Sequence, residues 1–180
     1  DLPMGLSLSD HSCVYSTLMV TGPKSRGLVG GLGTQAELWL GWLAHQPANV
    51  GGISCALARV SVAGELGWES HAANADMPAL YNAVLGAGAT PFGMFALNSL
   101  RIEKGYRAWK GDLSTDYSLL EGVLERFVRF DKPQDFPGKA ALLVEKQEGS
   151  KKMFCTLTFD GPTTADAPYM SPSWHGEYVL

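Results

Sequence analysis

The stretch RVSVAGELGWES, residues 59–70, reads as a strand, a tight turn and a second strand, with a carboxylate at each edge of the turn. Val60, Val62 and Ala63 supply β-branched and small apolar character, and Gly64 and Gly67 bracket Glu65-Leu66. Glycines in those places suit a hairpin whose turn needs backbone freedom. Side chains alternate along a strand, so Trp68 and Glu69 fall on opposite faces. If Trp68 packs inward, Glu69 points the other way, and the converse holds too. A carboxylate held rigidly beside an aromatic is a device for gripping a flat polar heterocycle. The same residues also make a solvated hairpin, and the local sequence by itself favours that plainer reading.

Upstream, residues 14–21 (VYSTLMVT) form a strand candidate that stops at Gly22-Pro23, and the proline suits the first turn of a helix over about 23–32. Lys24-Ser25-Arg26 precede a GGLG run, but the spacing is not GxxxxGK[ST], so strand, turn and helix is preferred to a phosphate loop. Residues 38–43 (LWLGWL) read either as a short buried helix or as a wall of an aromatic pocket, with burial the usual role of tryptophan. Pro47, Asn49 and a glycine pair make 46–52 a loop, and 53–63 the first strand of the central hairpin.

Downstream, 75–85 fits an amphipathic helix capped by Asp76, with Pro78 in its first turn and Gly86 and Gly88 stopping it. Residues 94–104 form a second helix closed by Gly105, with Met94, Leu97 and Leu100 as a buried stripe. Asn98 and Arg101 lie three apart, hence on one face. Residues 125–130 (ERFVRF) alternate as a half-buried strand, 131–138 is a loop, 137–146 a short helix, and 153–159 and 175–180 are strands. A boundary falls near Gly149.

Composition sets the outer limits. Of 180 residues, 46% are apolar and 18% charged, which describes a chain that builds a core. A formal charge of −4 without a basic cluster excludes a nucleic-acid backbone or an anionic membrane surface as main partner. No apolar run approaches the roughly 20 residues that span a bilayer. Cys13, Cys55 and Cys155 form no CxxC pair and read as reduced, mostly buried thiols of a cytosolic or organellar-matrix protein. His11, His45, His71 and His175 are isolated, so no metal site is expected. The opening DLPMGLSLSD has neither an initiator methionine nor a signal layout, and reads as a piece of a longer chain.

Four segments add up to more than their separate weights: VTGPKSR at 20–26, RVSVAGELGWE at 59–69, ALNSLRIEKGYRAWKGDL at 96–113 and ERFVRFDKPQDFPGKAAL at 125–142. In this order and spacing they resemble the folate-binding aminomethyltransferase family, whose best-known member is the T protein of the glycine cleavage system. The similarity is greatest to the carboxy-terminal folate half of dimethylglycine and sarcosine dehydrogenases. It is strong over about 14–143 and weak over 153–180, where it meets the opening of the family's carboxy-terminal β-barrel.

The resemblance implies an α+β fold, a mixed sheet with packed helices, over 1–149, and a truncated barrel start over 150–180. It implies tetrahydrofolate as cofactor and an amine as the second small molecule. The reaction would carry a one-carbon unit from glycine, dimethylglycine or sarcosine into 5,10-methylenetetrahydrofolate. Glu69 matches the family carboxylate that bonds the pterin ring, Arg101 an arginine near the folate, and Trp109 an aromatic bordering the same cavity. Glu65 is expected to shape the turn and Asp112 to anchor its loop. The family's catalytic aspartate belongs to an amino-terminal segment outside this chain, so no catalytic residue is assigned and activity of the chain alone is left open. The resemblance implies either a flavin-dependent dehydrogenase domain in the same polypeptide or a stand-alone transferase, with a cytoplasmic or, in a eukaryote, mitochondrial-matrix location. Two departures stand out: Val62 where relatives carry tyrosine, and Lys110 where they carry glycine. A non-catalytic folate-binding or assembly module and a folate-dependent demethylase of a sulfonium compound are the alternatives.

Overall fold

The computed structural model describes residues 5–33 and 39–157. The strand expected at 175–180, the last residues of the one expected at 153–159, most of the barrel start and Leu38 lie outside the described residues. The chain divides into two compact units, Asp1–Tyr106 and Arg107–Leu180.

In the first unit the elements run β1 (Tyr15–Thr21), α1 (Ser25–Leu32), β2 (His45–Val50), β3 (Ile53–Ala58), β4 (Gly67–Ala73), α2 (Met77–Gly86) and α3 (Met94–Glu103). The second unit holds a 3-10 turn at Glu125–Phe127 and α4 (Lys139–Glu148). This is the expected α+β class. The strands form one sheet in the order β1-β4-β3-β2, and all three strand pairings are antiparallel.

Register decides which side chains are buried. Val20 faces Trp68 across β1 and β4, and Leu57 faces Ser70 across β3 and β4. These residues, with Cys55, Val50 and Ala72, point to one face and pack against Val29 of α1 and Leu80 and Val84 of α2. Trp68, Leu57 and Leu80 are fully buried, so one face of a small sheet carries the core. Removing such apolar surface from water at about 25 cal/mol per Å² is the main favourable contribution to folding.

The β2–β3 connection is a two-residue turn, Gly51-Gly52, with φ of 62° and 85°. Positive φ at both positions matches the right-handed twist of the strands it joins. Gly51 has a second reason to be glycine: a Cβ there would sit 2.6 Å from Ala83 Cβ of α2. Its N–H also donates to Leu32 O at the end of α1, 2.6 Å away.

Several expectations change. The central hairpin is not tight: β3 stops at Ala58, and residues 59–66 form an eight-residue loop before β4. The cause lies at Arg59, whose N–H donates to Ala44 O and whose carbonyl accepts from Leu43 N–H, while its guanidinium donates to Leu40 O. The chain thus leaves β4 to follow the 40–44 segment. Residues 46–50, expected as loop, belong to β2; Pro47 is tolerated because β2 is an edge strand. Trp39 and Trp42 are exposed, contrary to the buried reading of LWLGWL.

Asp76 stands at the N-cap of α2 but its side chain makes no capping bond. The stripe expected on α3 is not buried among the described residues, and Met94 is 77% exposed. Residues 125–130 are not a strand, and Glu125–Phe127 form a 3-10 turn: Phe127 N–H closes on Leu124 O and Val128 N–H on Glu125 O, so local carbonyls take the donors a ladder would use. Residues 152–157 are not a strand, although Phe154 N–H donates to Glu121 O. In the loop after the turn, Arg129 Nε donates to Asp131 Oδ1 and holds that carboxyl below the usual carboxylate range. Of the thiols, Cys55 is buried while Cys13 and Cys155 are exposed, which corrects the expectation of mostly buried cysteines.

Trp68 is the largest fully buried side chain. Trp68→Ala is expected to lower stability by about 3–5 kcal/mol, read as a fall in the urea midpoint.

Candidate functional site

Burying Trp68 fixes where the next residue goes. Along β4, Trp68, Ser70 and Ala72 are buried in the core, while Glu69, His71 and Ala73 alternate onto the other face. Glu69 lies between Met19 of β1 and Ala58 of β3, and His71 between Thr17 and Ala56. Ala58 and Ala56 flank the acid and the imidazole on the β3 side and leave that side open to a flat group, while Met19 stands beside Glu69 on the β1 side.

Glu69 is only 21% exposed and its Oε2 lies 3.3 Å from His71 Nε2. The other ring nitrogen, Nδ1, lies 2.8 Å from Thr17 Oγ1. Three side chains from two strands thus form a row: hydroxyl, imidazole, carboxylate. Sequence reading singled out Glu69 but missed its two neighbours. His71 could have been found, because it stands two residues along the same strand and so on the same face. Thr17 is brought in by a strand pairing that no local pattern reveals.

The loop that leads into β4 is pinned at both ends. Gly22 N–H donates to Leu66 O at 2.8 Å, and the buried Ser25 hydroxyl reaches Gly22 O and Leu66 O at 2.7 and 3.0 Å. This ties the start of β4 to the start of α1. Gly64, at φ 75°, lies against Lys104, where a Cβ would come within 2.2 Å of Cγ. Glu65 pairs with the same lysine, Oε1 to Nζ at 3.3 Å. The turn acid therefore docks the loop on the end of α3.

Arg101 sits in the last turn of that helix. Its Nε donates to Asn98 Oδ1 at 2.7 Å and a terminal nitrogen donates to Tyr106 O at 3.0 Å. Asn98 and Arg101 share a face as expected, and they bond each other, which holds the guanidinium plane in one orientation. The structure thus joins the segments carrying Glu69 and Arg101 through the Glu65–Lys104 pair.

Trp109 belongs to the second unit, where it is 64% exposed. Its loop is closed by Lys110 N–H donating to Leu113 O at 2.6 Å, and Asp112 Oδ2 accepts from Ala108 N–H at 2.7 Å. Asp112 anchors the loop as expected. Lys110 has φ 67°, the left-handed region, so the position where relatives carry glycine is one whose backbone favours it.

A cavity of about 670 Å³ opens beside β1, α2 and the 88–97 segment, with Leu18, Val84, Leu85 and Leu97 among its walls and Lys24 as its charged lining residue. Its lining includes neither Glu69 nor Arg101. The acid therefore stands outside this cavity, although Thr17 and Met19, the β1 neighbours of His71 and Glu69, are among the cavity's lining residues.

Comparison with known proteins places the chain. Residues 2–132 match the family described as the GCVT N-terminal domain. The chain belongs to the GCVT family. Over 150 residues this GCVT chain is 37% identical to a mitochondrial dimethylglycine dehydrogenase of Mus musculus, covering 80% of the chain and 17% of the relative. A mitochondrial sarcosine dehydrogenase of Mus musculus is 34% identical over 160 residues, 85% of the chain and 17% of the relative. An aminomethyltransferase of Thermosynechococcus vestitus is 29% identical over 168 residues, 93% of the chain and 46% of the relative. The GCVT chain thus spans less than half the length of these curated relatives.

Two variants test the loop geometry. Lys110→Gly is expected to raise stability by about 0.5–1 kcal/mol, because relief of the left-handed strain exceeds the added freedom of the unfolded chain. Gly64→Ala is expected to cost about 1–3 kcal/mol and to weaken the Glu65–Lys104 contact, both read by denaturation of the single variants and of a Glu65→Ala background.

Proposed function

We propose that this chain is the folate-binding part of a tetrahydrofolate-dependent enzyme of the aminomethyltransferase type, and that it handles the one-carbon unit released when an amine such as dimethylglycine or sarcosine is demethylated. The single observation that carries this reading is Glu69, a mostly shielded carboxylate presented on a rigid strand with alanines beside it on β3. The amino-oxo-pyrimidine edge of a pterin offers a ring N–H beside an amino group. An ionised carboxylate accepts both at once, and charge-assisted pairs of that kind are strong and directional. The acceptor oxygens of Glu69 and its alanine neighbours on β3 fit a flat folate ring.

Arg101, with its plane fixed by Asn98, supplies a donor or stacking surface for the same ring. Trp109 matches the family's aromatic neighbour of the folate, and its exposed indole suits stacking on a flat ring. Bound tetrahydrofolate contributes the nucleophilic N5 amine that takes up the one-carbon unit to give 5,10-methylenetetrahydrofolate. The chain's own contribution is to bind and orient, which is how catalysis by positioning works. The dehydrogenase relatives, of which the chain covers 17%, support a flavin-dependent dehydrogenase domain in the same polypeptide. A mitochondrial-matrix location in a eukaryotic host, and a cytoplasmic one otherwise, goes with that reading.

Titration of the full-length polypeptide with tetrahydrofolate tests the site. Glu69→Ala is expected to weaken binding by about 100-fold, the loss that goes with truncating one partner of a shielded, charge-assisted pair. Affinity unchanged by that substitution would overturn the assignment. Val62, 48% exposed, leaves out the aromatic contact that relatives make. Val62→Tyr is accordingly expected to tighten tetrahydrofolate binding by about three- to tenfold in the same titration.

A further inference from the structure

We propose that His71 is the positioning residue of the ligand-gripping acid: with Thr17 it fixes the carboxylate of Glu69 so that its remaining acceptor sites meet a planar ligand edge carrying two adjacent N–H donors. The inference rests on the folate-site reading of Glu69 and goes beyond it by giving that acid a dedicated support.

The argument starts from proton counting. An ionised carboxylate only accepts, so the 3.3 Å approach of His71 Nε2 to Glu69 Oε2 needs the proton on Nε2. A neutral imidazole then has its lone pair on Nδ1, and the Thr17 hydroxyl, 2.8 Å away, is the group that donates to it. The row has one consistent direction, Thr17 O–H to Nδ1 and Nε2–H to Oε2. Glu69 selects the tautomer, and the Thr17 hydroxyl, turned as donor, holds the ring in place.

The backbone keeps all three members in place. Thr17 and His71 are direct cross-strand partners of the β1–β4 ladder, and Glu69 is two residues along on the same face. Neither spacing changes without breaking the sheet. A carboxylate has about four lone-pair sites. His71 takes one of them on Oε2, which leaves Oε1 and the rest of Oε2 for two parallel donors. Without the imidazole, a glutamate with three side-chain torsions must be ordered by the ligand itself, and that ordering counts against affinity. The contact as such adds little on a face where His71 is 41% exposed, so its value is orientation.

The test is a set of tetrahydrofolate titrations on the full-length polypeptide. His71→Ala is expected to weaken binding about tenfold, since the polar group that orients a charged acceptor is lost. His71→Gln places an amide N–H near the position of Nε2–H and is expected to recover affinity to within about threefold. Thr17→Val, which removes the donor to Nδ1, is expected to cost about threefold and provides a second route should an alanine at 71 disturb the strand. In a Glu69→Ala background His71→Ala is expected to cost nothing further, because the group it positions is gone.

Equal losses in both backgrounds, or a glutamine no better than alanine, would overturn the positioning role and leave His71 a structural residue. Wild-type affinity in His71→Ala, with Glu69→Ala still impaired, would overturn this inference alone. A harmless Glu69→Ala would instead remove the folate-site reading on which it stands.

Discussion

The burial of one indole governs this molecule. Trp68 lies in the middle of the only sheet among the described residues, opposite Val20 on β1, and is closed off by the helix layer. A strand cannot bury a residue without turning its neighbour outward, so that placement is also what aims Glu69 at the opposite face. A slip of one residue in the β1–β4 ladder would put the acid in the core and the indole in water, two costs of several kcal/mol each. The register is therefore held by the same energy that builds the core. The face that carries Glu69 inherits its geometry from the packing behind it.

The eight-residue loop before β4 shows how a tight hairpin is exchanged for a docking device. Arg59 leads the chain away from the sheet, Leu66 brings it back to the start of α1, and Glu65 with Gly64 seats it on the end of α3. The acidic residue at the turn thus serves tertiary structure while the acid after the tryptophan is left to chemistry. Two glutamates four positions apart divide the work by direction alone.

Much of this was legible from residue order. Periodicity located β1, α1, α2, α3 and α4 closely, because their apolar spacing and glycine or proline boundaries are local signals. The opposition of Trp68 and Glu69 was legible for the same reason. What failed depended on distant partners. Pro47 argued for a loop because a proline cannot serve a central ladder, yet position in the sheet, not local chemistry, made it acceptable. ERFVRF alternates like a strand but finds no neighbouring strand among the described residues, and closes on local carbonyls. Met94, Leu97 and Leu100 have helical spacing without a described surface to bury them. At the site, Glu69 stood out by motif and His71 by alternation, but Thr17 could be placed only once β1 was known to lie beside β4. Family resemblance supplied the folate; pairing supplied the support around the acid.

Pro47 carries one more consequence. The rim of a sheet is a template on which a stray extended chain can lay itself down and begin an aggregate. On β2 that template has a missing tooth, since one of its six residues has no amide hydrogen to offer. The same imino acid that hides the strand from a pattern reader also makes that border a poor seed for fibrils.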